Sequence, residues 1–106
     1  MAIQASGSLL DACVLALLMK KDAYGYELTQ GMKKTLGISE STLYPVVRRL
    51  QTEECLMTYD KPFNGRNRRY YQITKKGLET YQFAFEEWGG FKEKIDKILE
   101  RGGENG

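Results

Sequence analysis

Lys61, Arg66, Arg68, Arg69, Lys75 and Lys76 fall within residues 61–78, a segment that contains no acid and carries a net charge of +6. The flanks are nearly neutral or acidic, −1 over residues 1–60 and −3 over 79–106, so the chain's overall +2 conceals a concentrated basic segment. Positive charge gathered in one stretch of a balanced chain suits a polyanionic partner; a solvated basic loop is the plainer reading of the same residues. A second set lies upstream. Ser39, Ser41, Thr42, Tyr44, Arg48 and Arg49, with Glu40 among them, fall at spacings that one helix could present on its exposed side. Hydroxyls serve donors and acceptors on base edges alike, and Arg pairs with guanine or clamps a phosphate. A helix N-terminus adds free N–H groups that favour a phosphate. The plainer reading is that Ser39, Ser41 and Thr42 cap the helix and that Tyr44 lies over the core.

Other chemistries find little support. Histidine is absent, which removes the usual general base and the usual imidazole metal ligand. The two cysteines, Cys13 and Cys55, lie far apart, with no Cys-x-x-Cys pair to start a zinc site. No glycine-rich phosphate-binding motif occurs. An enzyme, a metal and a cofactor are therefore not expected. The longest apolar run, Ala12–Met19, is eight residues, against the ~20 of a membrane span, and Asp11 precedes it where an export signal would carry basic residues. A cytoplasmic protein without a membrane partner is expected.

The elements that must position these groups follow from periodicity. Leu9, Leu10, Cys13, Leu17 and Leu18 recur at helical spacing after Ser8, an expected N-cap, and the helix ends near Lys20–Lys21. A second helix is predicted from about Tyr24 to Thr35, stopped by Gly37. A third begins at Ser39 with Leu43, Val46, Val47 and Leu50 turned inward; Pro45 lies early in it, where the lost hydrogen bond costs least. The period then changes. Leu56–Asp60 and Arg69–Ile73 alternate as strands around a loop, 61–68, whose Asn64-Gly65 signals a hairpin turn. Thr74 caps a last helix running to about Arg101. The fold class expected is mainly α with a small β-hairpin: a winged helix-turn-helix over 1–74, a C-terminal dimerisation helix over 75–101 and a disordered tail over 102–106. In that layout the third helix enters a major groove and the hairpin, or wing, lies along the backbone or minor groove. Asn64, Gly65, Arg66 and Arg68 would form the wing's contact, Gly65 allowing close approach; Arg69 suits a phosphate contact or a hairpin ion pair.

The residues also carry a resemblance. Tyr24-Gly25-Tyr26-Glu27-Leu28, Ser41-Thr42-Leu43-Tyr44-Pro45-Val46-Val47-Arg48-Arg49-Leu50 and Gly65-Arg66-Asn67-Arg68-Arg69-Tyr70-Tyr71-Gln72-Ile73-Thr74, with Gly77, resemble the PadR family of bacterial transcriptional regulators over nearly the whole chain. The length resembles that of its short subfamily, with a single C-terminal helix. The resemblance implies a homodimeric winged-helix repressor bound to an inverted-repeat operator. One departure is visible: where the family has Gly after the third helix, in a Glu-Gly-Leu/Ile pattern, this chain has Glu54-Cys55-Leu56. Either Cys55 adopts a left-handed conformation or the helix ends differently.

In the last helix Tyr81, Ala84, Trp88, Phe91, Ile95 and Ile98 are spaced 3, 4, 3, 4, 3, a coiled-coil seam widened by Phe85 and Leu99. A second copy of the chain is the expected cover. Gly89-Gly90 costs about 2 kcal/mol in a helix interior, so a close helix approach, a kink or space beside Trp88 is expected. Trp88 reads either as the largest residue of a dimer core or as the wall of a pocket for a planar aromatic or phenolic effector, which some short PadR-like proteins bind at such a position. The competing function is a winged-helix protein-interaction module that does not read DNA.

Overall fold

The computed structural model describes residues 7–105, with side chains described from 9 to 100. The side chains of Ser8 and of 101–106 lie outside the described residues. The backbone places Ser8, expected as an N-cap, inside a first helix that begins at Gly7, and it continues the last helix through 102–105, expected as a disordered tail. Seven elements follow in order: α1 (Gly7–Lys20), β1 (Ala23–Tyr24), α2 (Gly25–Leu36), α3 (Glu40–Thr52), β2 (Leu56–Phe63), β3 (Arg66–Ile73) and α4 (Lys75–Asn105). The strands form one antiparallel sheet in the order β1-β3-β2.

α1 is the centre of the molecule, packed against α2, α3, α4 and β3. A helix apolar on nearly every side must be buried on nearly every side, and Val14, Leu15 and Leu18 are fully enclosed. The stripe expected from spacing was narrower: Leu9, Leu10, Cys13 and Leu17 are only half-buried, while Val14 and Leu15 carry the core. Leu28 and Met32 of α2, and Leu43, Val46, Val47 and Leu50 of α3, complete it.

Local chemistry ends α2 and starts α3 where the sequence suggests. Gly37, at φ 67°, closes α2 with its N–H on the Lys33 carbonyl at 2.9 Å. Ser39 starts α3, its Oγ accepting from the Thr42 N–H at 3.3 Å. Pro45 has no N–H to give the Ser41 carbonyl one turn back, and the helix continues through it.

α3 ends one residue earlier than the family pattern suggests. Glu54, not Cys55, takes the left-handed conformation, at φ 64°. The Glu54 N–H bonds the Gln51 carbonyl at 3.0 Å and the Cys55 N–H bonds the Leu50 carbonyl at 2.8 Å, a Schellman closure. Cys55 then turns inward and is buried beside Leu50. α4 starts against this closure. Thr74 donates its hydroxyl proton to the Glu54 carbonyl at 2.6 Å and accepts from the Gly77 N–H at 3.0 Å, while its own N–H bonds the Cys55 carbonyl. The approach is so close that a Cβ on Gly77 would lie 2.3 Å from the Cys55 oxygen.

The hairpin is longer than its sequence pattern predicts. Residues 61–68, expected as a loop, are mostly strand, and only Asn64-Gly65 turns, at φ 49° and 77°. Two positive φ values make the type I′ geometry that follows the natural twist of a hairpin. β1 was not anticipated; it is two residues long, with Tyr24 opposite Tyr70 and Ala23 opposite Tyr71. α4 runs on beyond the body. The radius of gyration is 16.5 Å, against about 13 Å for a compact chain of this size.

Candidate nucleic-acid interface

The first turns of α3 present Ser39, Glu40, Ser41, Thr42 and Tyr44 to solvent, with Arg48 exposed further along. The three hydroxyls form one cluster: Ser39 Oγ lies 3.0 Å from Ser41 Oγ and 3.2 Å from Thr42 Oγ1. Ser39 therefore caps the helix, and the same cap holds the neighbouring hydroxyls at the helix start. Tyr44 is 43% exposed and does not lie over the core. Buried Leu43, Val46, Val47 and Leu50 on the opposite side fix which face looks out.

Arg49 differs from its neighbour. Its guanidinium makes a bidentate pair with Asp11 of α1 at 2.6 and 2.7 Å, and the carboxylate side is only 11% exposed. That hydrogen bonding pushes the Arg49 pKa further up. Planar two-point geometry of this kind ties α3 to α1 and holds the exposed face of α3 in place. Arg49 is thus drawn out of the exposed set with which its spacing groups it.

The wing arginines separate three ways. Arg66, beside Asn64 and Gly65 at the tip, is exposed and has no hydrogen bond, ion pair or ring contact among the described residues. Arg69 points to the hairpin's other face and meets Asp60 at 3.5 Å, both well exposed, so this ion pair contributes little. Arg68 is half-buried, its guanidinium carbon 3.5 Å from the Phe63 ring centre and 4.2 Å from that of Tyr24. Behind it Tyr24, Tyr70 and Tyr59 pack edge to face or tilted, at 5.7 and 5.5 Å. Tyr59 donates to Asp22 at 2.6 Å, which pushes its pKa up to about 12, and Gln72 donates to the same carboxylate oxygen at 3.2 Å.

Sequence reasoning missed Asp11, Tyr24 and Phe63 as partners of site residues. For Phe63 the signal was present: a two-residue turn at Asn64-Gly65 fixes the register, bringing Phe63 opposite Arg66 and Lys61 opposite Arg68 on one face. For Asp11 and Tyr24 no local pattern indicates a partner 38 or 44 positions away.

On α4 the expected seam divides. Ala84 is buried and Tyr81 half-buried against the chain's own core. Trp88 and Ile95 are half-buried, whereas Phe85, Phe91, Ile98 and Leu99 are 52–66% exposed. α4 passes through Gly89-Gly90 as helix, and a Cβ at either would meet nothing within 4 Å.

Three helices with a capped, hydroxyl-bearing third and a basic type I′ hairpin define a winged helix-turn-helix DNA-binding domain. The profile of the PadR-like family of transcriptional regulators matches residues 14–82. A Streptococcus mutans protein of solved structure is 37% identical, with 94% of each chain covered and a TM-score of 0.83. A PadR-like transcriptional regulator from Bacillus cereus is 32% identical over 86% of this chain and 91% of its own, at a TM-score of 0.78. An uncharacterised protein of Lysinibacillus sphaericus is 36% identical over 96 residues, 86% of this chain and 88% of its own. The chain belongs to the PadR-like family, and it is a DNA-binding transcriptional regulator rather than an enzyme. Among the described residues no group of His, Cys, Asp or Glu could hold a metal ion, and no helix is long and apolar enough to cross a membrane.

Proposed function

We propose that the protein is a repressor that binds an inverted-repeat operator as a homodimer and is released by a planar aromatic or phenolic effector at Trp88. The observation that carries the DNA contact is the solvent-facing start of α3, where Ser41, Thr42, Tyr44 and Arg48 stand clear of the core on a helix held by the Arg49–Asp11 pair. α3 lies in the major groove and Arg66 with Asn64 and Gly65 reaches backbone or minor groove. The uncovered apolar length of α4, from Phe85 to Leu99, supports the dimer, because a contiguous exposed apolar strip of this kind marks an interface. Two copies joined there give a twofold reader for a twofold site. Trp88, half-buried, lies within this uncovered length, which makes it a residue through which a ligand could act on the dimer.

A mobility-shift titration with the DNA upstream of its own gene tests the reading. Retention should fall with salt at a log–log slope of about −0.9 for each phosphate neutralised. No retention even at low salt would transfer the winged helix to a protein-binding role. The effector arm is read separately: planar aromatics should quench the fluorescence of Trp88, the only Trp, and shift DNA affinity. Quenching with unchanged affinity would mean a pocket that regulates nothing.

A further inference from the structure

β1 supports only the base of the wing. Its last pairing joins Tyr24 to Tyr70, and the four pairs beyond it, from Asp60–Arg69 to Phe63–Arg66, form a ribbon of two strands alone. At ~3.3 Å per residue that ribbon reaches about 13 Å past the sheet. Two isolated strands are marginally stable at best and twist freely. A DNA reader needs this ribbon held at one angle to α3, so something must tie its outer part back to the body. Arg68 is the residue placed to do so. It sits in the unsupported part, opposite Lys61, yet its guanidinium reaches both Phe63 near the tip and Tyr24 at the base. Tyr24 in turn precedes α2 as its N-cap residue, where its N–H bonds Glu27 Oε1 at 3.2 Å. The link therefore runs from wing tip to helix.

We propose that Arg68 is a positioning residue for DNA binding: it clamps the wing to the body by bridging the Phe63 and Tyr24 rings, and leaves the phosphate or groove contact to Arg66. The inference rests on the DNA-binding reading above. A guanidinium suits the role because its flat face can lie on a ring and its charge attracts the ring's electron density. Lys keeps the charge but cannot stack in this way.

Two variants separate clamp from contact. Arg68→Lys retains the charge, and Phe63→Leu leaves Arg68 intact but removes one ring. Each should weaken binding to a duplex of its own promoter by roughly five- to thirtyfold, with the salt slope unchanged, and the double variant should be little worse than either single one. Arg66→Ala should instead flatten the slope by about 0.9 for each phosphate that Arg66 neutralises in the wild type. Without DNA, amide hydrogen exchange should speed up over residues 61–68 in both clamp variants while α1, α2 and α3 keep their protection. Wild-type affinity in Arg68→Lys would overturn the proposal, as would unchanged exchange in the wing. If the wild type bound no DNA at all, the regulator reading would fall, while the exchange arm would still decide whether Arg68 is a clamp.

Discussion

The two ends of α4 solve opposite problems. At its start, Thr74 and Gly77 lock onto the Schellman closure of α3, where Glu54 and Cys55 supply carbonyls and Cys55 fills the core. Glycine is compulsory there, because the Cys55 carbonyl occupies the space a Cβ would need. Twelve residues on, Gly89 and Gly90 also lack side chains, yet around them a Cβ would meet nothing, and Phe91, Ile98 and Leu99 stand open. One helix thus carries a glycine explained by its own chain and two that its own chain does not explain. The near end is built for folding. The far end carries an apolar stripe, between charged flanks, that nothing in its own chain covers, which is what an assembly surface requires.

The largest effect is expected at the far end. Trp88→Ala should weaken the dimer by about 3–5 kcal/mol, the usual result of truncating a large aromatic in a packed site, while melting of the single domain changes far less. Sedimentation velocity across a concentration series reads the first quantity and calorimetry on the dilute protein the second. Operator affinity should fall together with dimerisation, because one half-site alone gives little. A wild type that stays monomeric at micromolar concentration would remove the assembly surface, and the contrast between the two ends of α4 with it.

Gly77→Ala probes the near end and should cost about 3 kcal/mol, the upper part of the usual range for overpacking, because the 2.3 Å approach involves backbone rather than a flexible side chain. Gly89→Ala and Gly90→Ala offer the matched control. With open space around them they should raise the stability of the isolated chain through helix propensity, by up to about 2 kcal/mol together, and disturb only dimerisation. If Gly77→Ala melted at the wild-type temperature, the junction would be looser than its hydrogen bonds imply.

The same contrast explains what the sequence made legible. Helix spacing, Ser39, Gly37, Asn64-Gly65 and Thr74 act within a few residues of themselves, and each performs its expected local task in the structure. The inward stripe of α3 was likewise readable, since Leu43, Val46, Val47 and Leu50 fit a single helical face. What was not readable depends on distance along the chain. Arg48 and Arg49 are identical as letters, but only Arg49 faces Asp11. Arg66 and Arg68 both look like wing charges until Tyr24, arriving with β1, takes one of them out of solvent. β1 itself is two residues long and exists because β3 offers it an edge. Of the candidate set, then, residue types were visible in advance, whereas their division into open side chains and internally paired ones required the tertiary structure.

A final and smaller effect concerns the departure from the family pattern at the end of α3. The glycine of the Glu-Gly-Leu/Ile pattern aligns with Cys55, but the residue that needs glycine's freedom is Glu54, at φ 64°. A left-handed conformation costs a residue with a Cβ ~1–2 kcal/mol, and the Glu54 side chain is exposed, with no hydrogen bond or ion pair of its carboxylate among the described residues to offset that cost. Glu54→Gly should therefore stabilise the fold by about 1 kcal/mol, after allowing for the extra freedom glycine gains when unfolded. Cys55→Gly should act in the opposite sense, because Cys55 is 1% exposed and packs in the core beside Leu50, and removing its side chain leaves a void. Thermal melts of the two variants decide the matter. A rise for Glu54→Gly with a fall for Cys55→Gly follows if the strain sits at 54; a rise for Cys55→Gly would mean that the helix ends one residue later, with Cys55 carrying the left-handed turn.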